Sequence, residues 1–338
     1  MKKLFTLLLV CALTVCMMAS CGGSDKLFDY NYDEYVTLGN YKGVEVSASE
    51  IETEVQAQID SILSSNAKDV ATGAPAAEGN KVTYSVTATV NGAEAADLAK
   101  TDSSVTLGTG KTGLDDLDAA LVGMSVGDTK ELTLTVPADY TGNADVDGKE
   151  AVLSVSVSAV TENVKPEALT DEMISTASDG LYTNVADYTV YLRSAVKQNL
   201  VWNVVLANTT FIDYPKKEAE MYYDNYLASY QNSAAQYGMT LESMASMYGM
   251  TLDAFQNNLA QQAIAQVNQD MAMFALAAKE NLVPDEARIA DIKKEMMVYY
   301  GYTDEETMIA AVGEDAIEQS ATFDMVMELI ETNAVEAE

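Results

Sequence analysis

Between Lys81 and Val160 the apolar residues alternate with polar ones or fall in short β-branched runs; beyond Lys165-Pro166 they recur at helical spacing almost to Ala334. A face with period two belongs to a strand and one with period 3.6 to a helix, so the two stretches must bury their apolar surfaces in different ways. The chain is therefore expected to be α+β and multidomain: an antiparallel sheet with a short helix, then an all-α domain. The regular strand–helix alternation of a doubly wound sheet is absent.

In the β-rich stretch the expected strands are Val82–Val90, Val105–Leu107, Glu131–Val136 and Ala151–Val160, with a helical insert at Leu114–Leu121 and glycines punctuating the turns. Ahead of it, Ser47 and Glu50 form a capping box for an amphipathic helix on Ile51, Val55, Ile59, Ile62 and Leu63, and Lys68–Gly79 reads as a linker. Helices are expected at about 184–206, 215–236, 240–248, 251–281, 285–299, 304–311 and 314–334. Tyr237-Gly238-Met239-Thr240-Leu241 is echoed by Tyr248-Gly249-Met250-Thr251-Leu252; in each copy glycine stops one helix and threonine caps the next. Thr303 and Glu306 are expected to cap a further helix in the same way.

At the amino terminus Lys2 and Lys3 precede the apolar run Leu4–Met18 and the small pair Ala19-Ser20, followed by Cys21. This is the pattern of a signal peptide, residues 1–20, with Cys21 as the lipid-attachment site of an exported bacterial lipoprotein. The run is shorter than the roughly 20 residues that a spanning helix needs. Gly22-Gly23-Ser24 suits a tether. The expected location is the outer face of the cell membrane, or the periplasm or outer membrane, depending on the host envelope. Cys11 and Cys16 are discarded with the signal, and the one remaining cysteine cannot form a disulfide or a thiolate zinc cluster within the mature chain.

The sequence has no histidine, which excludes Ser-His-Asp and Cys-His nucleophile systems and HExxH zinc sites. No nucleotide-binding glycine motif or EF-hand loop is present either, so no cofactor and no metal are expected. The formal charge of −33 becomes −35 on loss of Lys2 and Lys3. Such a charge repels phosphate backbones and argues against nucleic-acid partners and against electrostatic adhesion to anionic lipid. It is expected to serve solubility, the alternative being attraction of basic unfolded chains.

Leu121-Val122-Gly123-Met124-Ser125-Val126-Gly127-Asp128, Val136-Pro137-Ala138-Asp139-Tyr140 and Gly148-Lys149-Glu150-Ala151-Val152 resemble the FKBP-type prolyl isomerase module of the trigger factor family. Val201–Ala334 resembles that family's helical chaperone domain, including Asp213-Tyr214-Pro215, the Tyr-Gly-Met-Thr-Leu turns and Val283-Pro284-Asp285-Glu286. After the signal peptide (1–20), the expected division is a tether and lead-in strand (21–46), a linking helix and linker (47–77) and, as the resemblance implies, an FKBP-like domain (78–162) and a helical chaperone domain (163–338). Where the family has a ribosome-docking domain, this chain has a lipobox and a tyrosine-rich lead, so its expected partners are unfolded or nascent exported polypeptides rather than the ribosome.

Prolyl isomerisation needs no acid, base or metal; the enzyme desolvates and twists an amide whose rotation is otherwise slow. The working site is an apolar, largely aromatic pocket. Carried over onto this chain, that pocket falls on Val86, Leu114, Leu117, Tyr140 and Val155, of which only Tyr140 is aromatic, and Asp115, Asp116 and Asp118 stand beside it. These residues are either a reduced prolyl site or the ordinary core of a helix on a sheet. Isomerase activity is expected to be weak or absent, the alternative being an active isomerase for exported proteins. A solute-binding or adhesive lipoprotein fits the segregated pattern less well.

Of the 17 methionines and 19 tyrosines, 13 of each lie from Met173 onward. Methionine's flexible thioether adapts to many apolar partners. Tyr222, Tyr223, Tyr226, Tyr230, Met244, Met247 and Tyr248 exceed what one helix face can bury, and they are the candidate client-binding residues.

Overall fold

The computed structural model describes residues 28–338; the signal peptide and Cys21 lie outside the described residues. Among the described residues no helix is long and apolar enough to cross a membrane.

In chain order, a 3₁₀ turn at Tyr32–Glu34 leads to β1 (Val36–Thr37), β2 (Glu45–Ser47) and α1 (Ala48–Ser65). Next come β3 (Lys68–Ala71), β4 (Lys81–Val90), β5 (Ala93–Glu94), β6 (Lys100–Thr106), α2 (Asp115–Leu121), β7 (Thr129–Thr135) and β8 (Glu150–Val164). The remainder is α3 (Asp171–Ala177), α4 (Val185–Asn208), β9 (Thr210–Phe211), α5 (Lys216–Gln236), α6 (Leu241–Met247), α7 (Leu252–Glu280), α8 (Glu286–Tyr300), α9 (Glu305–Val312), α10 (Glu314–Asn333) and β10 (Val335–Ala337).

Two compact units result: Ile62–Ala168, and a second comprising the described residues through Ser61 with Leu169–Glu338. The lead-in strands and most of α1 thus belong with the helices, which differs from the sequence-based division at residues 47–77.

The β-rich unit is one antiparallel sheet in the order β3-β8-β4-β5, with β6 also on β4 and β7 on β8. Its alternation delivers Val82, Tyr84, Val86, Ala88 and Val90 from β4 and Ala151, Leu153, Val155 and Val157 from β8 to one core, closed by Leu117 and Leu121 of α2. The pairings of β4 with both neighbours shift register beside Tyr84, a bulge that re-aims the strand there. The expected linker at Lys68–Gly79 instead opens with β3, which pairs Lys68 with Val164 and Ala71 with Thr161.

In the helical unit the expected stops hold. Met239 N–H bonds to Ala234 O at 2.9 Å, Met250 N–H to Ala245 O at 3.0 Å and Tyr302 N–H to Met297 O at 2.9 Å. Each closes a left-handed turn at Gly238, Gly249 or Gly301, at φ +66, +71 and +71°, where a side chain is disfavoured. Thr240 and Thr251 cap α6 and α7 by accepting from Ser243 N and Ala254 N. The cap of α9 is a correction: Asp304, not Thr303, accepts from Thr307 N, at 2.8 Å. A carboxylate there also favours the positive end of the helix dipole.

Two long-range clasps, invisible to local pattern, complete this unit. β1 pairs antiparallel with β9, and β2 pairs in parallel with β10. Beside the second clasp Arg193 reaches Glu52 at 2.8 Å and Glu336 at 2.6 Å, and Lys197 reaches Glu336 at 3.1 Å; together they hold the Glu336 carboxyl down to about 2. Gly39 passes so close to α4 that a Cβ would stand 2.0 Å from Asn208 O.

Candidate functional site

In the β-rich unit the five carried-over pocket residues come together, but as packing. Val86 and Val155 are cross-strand partners, and Leu114 and Leu117 cover them from the start of α2; the four are between 0 and 4% exposed. Only Tyr140 is half-buried. Its hydroxyl donates to Thr112 O at 3.0 Å, and its ring lies where a Cβ on Gly113 would come within 2.7 Å, at φ +87°. That glycine is required by both its conformation and the close approach. Asp118 fixes the same loop by accepting from Thr112 N at 3.0 Å.

Of the two alternatives for Val86, Leu114, Leu117 and Val155, the burial agrees with core packing: alternation and the α2 spacing turn all four inward, into one cluster. Sequence reasoning passed over Tyr84, which is 4% exposed and shares the inward face of β4 with Val86. Burial pushes both the Tyr84 and Tyr140 phenols up, and the neighbouring Asp118 charge adds to the shift in each. The Tyr84 signal was present two residues before Val86 on the same strand face. Asp97 accepts from Asn143 Nδ2 at 2.7 Å on the surface.

In the helical unit Tyr222 is 2% exposed and its hydroxyl donates to the buried Asp270 at 2.6 Å, with Gln266 Nε2 on the other carboxylate oxygen at 2.9 Å. Met244 is likewise buried. These two are corrected from surface to core: Tyr222 faces α7, and Met244 is turned inward on the short α6. Tyr223, Tyr226 and Tyr230 are half-buried; Tyr226 stacks on Tyr222, and Tyr230 meets Phe255 edge-on at 5.1 Å. Met247 and Tyr248 are exposed, at 74% and 60%.

Two residues join them that the candidate set omitted. Tyr237 is 77% exposed and Met250 38%. The reason lies in the helix stops. Tyr237 and Tyr248 are the C-cap residues of α5 and α6, each followed by its left-handed glycine, so the repeated turn presents a tyrosine outward twice; of its two methionines Met250 is exposed and Met239 half-buried. A separate cleft of about 460 Å³ runs along α8 to Tyr302 and Glu305, with Ile289, Ala290, Met297 and Val298 as apolar wall and Lys293 and Lys294 among its lining.

The helical unit thus exposes an apolar, methionine-bearing surface, and the sheet unit has a closed apolar core. Residues 191–337 match the family model described as the bacterial trigger factor protein C-terminus, and residues 73–158 match that of the FKBP-type peptidyl-prolyl cis-trans isomerase. In these two stretches the chain is similar to the trigger factor family, an FKBP-type domain followed by a trigger factor C-terminal domain.

Similar curated proteins include the trigger factors of Caldicellulosiruptor bescii (25% identity, covering 81% of this chain and 65% of that one) and Lachnoclostridium phytofermentans (26%; 77% and 62%). The trigger factor of Lactobacillus acidophilus is 25% identical over 88% of this chain and 70% of its own length. The chain thus spans a little under two thirds of the length of the first two. A solved structure described as "Promiscuous Substrate Recognition in Folding and Assembly Activities of the Trigger Factor Chaperone" covers 88% of this chain at 14% identity, with a TM-score of 0.33 that adds no weight to the assignment.

Proposed function

We propose that this protein is a membrane-anchored, extracytoplasmic chaperone that holds unfolded segments of exported polypeptides on its helical unit, while the FKBP-type unit serves chiefly as a scaffold. The observation that carries the reading is the exposure of Tyr237, Met247, Tyr248 and Met250 at the ends of α5 and α6, in the stretch that matches the trigger factor C-terminus. Non-directional apolar contacts suit a surface that must accept many sequences without nucleotide. The negative charge adds attraction for basic clients and keeps the apolar tip from self-association.

Anchoring is supported by the sequence pattern at Cys21, and it removes the chain from the ribosome. Labelling cells with radioactive palmitate is expected to mark the full chain and to leave the Cys21→Ala variant unlabelled and released from membranes; equal labelling of both would remove the anchor from the proposal.

Replacing Tyr237, Met247, Tyr248 and Met250 together by serine is expected to reduce suppression of aggregation of a denatured test protein at least threefold, with the melting temperature little changed, because these side chains are exposed. Unaltered suppression by a folded variant would refute client holding at this tip.

A further inference from the structure

The tyrosine-rich lead is an arm laid on the helical unit. Phe28 is 2% exposed and stacks on Phe274 of α7 at 5.0 Å, and Tyr32 lies nearly parallel to the same ring at 6.3 Å. Around them are Ala219 and Tyr222 of α5 and Ala263, Val267 and Met271 of α7, a groove whose two alanines leave room for a ring. One polar anchor is sunk in it. Glu218, 1% exposed, accepts from the Tyr30 hydroxyl at 2.8 Å and, more distantly, from Phe28 N–H at 3.5 Å.

The two ends of the lead are held differently. Val36–Thr37 is tied down by β1–β9 pairing and by Ile212 N–H on Tyr35 O, and Gly39 is wedged against α4. Residues 28–32 have no strand pairing; three aromatic side chains and the Glu218 contacts hold them, and Tyr30 and Tyr32 are only half-buried. Ordering such an arm costs chain entropy that one buried ring and two partial ones offset narrowly. Glu218 lies in the first turn of α5, where the helix dipole favours its charge, and water can solvate it once the arm lifts.

We propose that the arm Phe28–Tyr32, bent at Phe28 (φ +59°), is an internal ligand, occupying a groove on α5 and α7 that takes turn-forming, tyrosine-containing segments of other chains when the arm swings away on its Val36–Gly39 anchor. The inference rests on the client-holding reading above and gives it a recognition element: an aromatic ring over Phe274, with a phenol and a backbone N–H on Glu218. The arm then competes with clients, so only segments that match or exceed its contacts displace it.

The test uses the full chain, purified in mild detergent, and a fluorescein-labelled synthetic peptide with the sequence of residues 27–35. The Phe28→Ala/Tyr32→Ala variant is expected to bind the peptide at least tenfold more tightly than the unmodified chain. Tyr30→Phe, which removes a single hydroxyl and leaves packing intact, is expected to bind it about threefold more tightly. A peptide in which phenylalanine replaces the residue equivalent to Tyr30 is expected to bind every protein more weakly. Equal affinity of all three folded proteins for the peptide overturns the proposal, whether or not the chain suppresses aggregation. Aggregation suppression is read in the same samples: its absence with the affinity order intact overturns client holding and leaves the groove.

Discussion

Leu117→Ala is expected to destabilise the FKBP-type unit by about 2–5 kcal/mol, the usual cost of removing a buried leucine from a core that only partly collapses. Leu117 is 2% exposed, in the cluster that also holds Val86, Leu114 and Val155. A leucine lining an open prolyl pocket would behave otherwise, with stability changing by less than about 1 kcal/mol while turnover fell, since an exposed side chain carries little burial energy. Denaturant unfolding followed by the change in sheet signal separates the two. A loss of several kcal/mol identifies a core residue; a small loss with a large fall in isomerisation restores the pocket.

Asp270→Asn is expected to change how stability depends on pH. Burial pushes the Asp270 carboxyl up to about 7 against the hydrogen bonds from Tyr222 and Gln266, which favour its charge. An unfolded aspartate titrates near 3.9. Between these values the folded protein binds more protons than the unfolded one, so this group's contribution to stability falls as pH rises through the window. From pH 5 to pH 8 that amounts to a loss of about 2–3 kcal/mol. Asparagine has no charge to bury and can still accept from Tyr222 and pair with Gln266. The variant is therefore expected to gain on the unmodified protein by about that amount across the interval. A stability difference independent of pH would show that Asp270 is ionised at little cost.

Much of this molecule was legible in the sequence because its local signals agree. Period-two runs mark β4 and β8, whose inward faces form one core, and Thr240, Thr251, Gly238 and Gly249 mark the helix ends they occupy. The failures have physical causes. β3 carries two adjacent apolar residues, Val70 and Ala71, and every residue of it is exposed, so no periodicity announced it. The short α3 between Thr170 and Ser178 buries only Ile174. Asp304 outcompeted Thr303 as a cap by one position, which sequence pattern alone does not resolve.

At the candidate site, residue type was more legible than direction. Tyr222 and Tyr223 are adjacent, yet one is sealed against Asp270 and the other half-open. Which of them faces inward depends on where α7 packs. The partner of Tyr30 stands 188 residues away, a separation that no local pattern encodes. The exposed Tyr237 and Met250 were visible as an echo, but their role as outward-facing helix stops needed the turn geometry.

The most direct test of the central claim is prolyl isomerisation of a proline-containing peptide by the full chain, with suppression of aggregation measured in the same preparation. The closed core around Val86, Leu114, Leu117 and Val155 predicts isomerisation at least tenfold slower than by an intact FKBP-type module, roughly 1.4 kcal/mol of lost transition-state stabilisation, alongside clear suppression of aggregation. Isomerisation at the rate of an intact module would contradict it, and would mean that Tyr140 and the residues beneath it open to admit a proline ring.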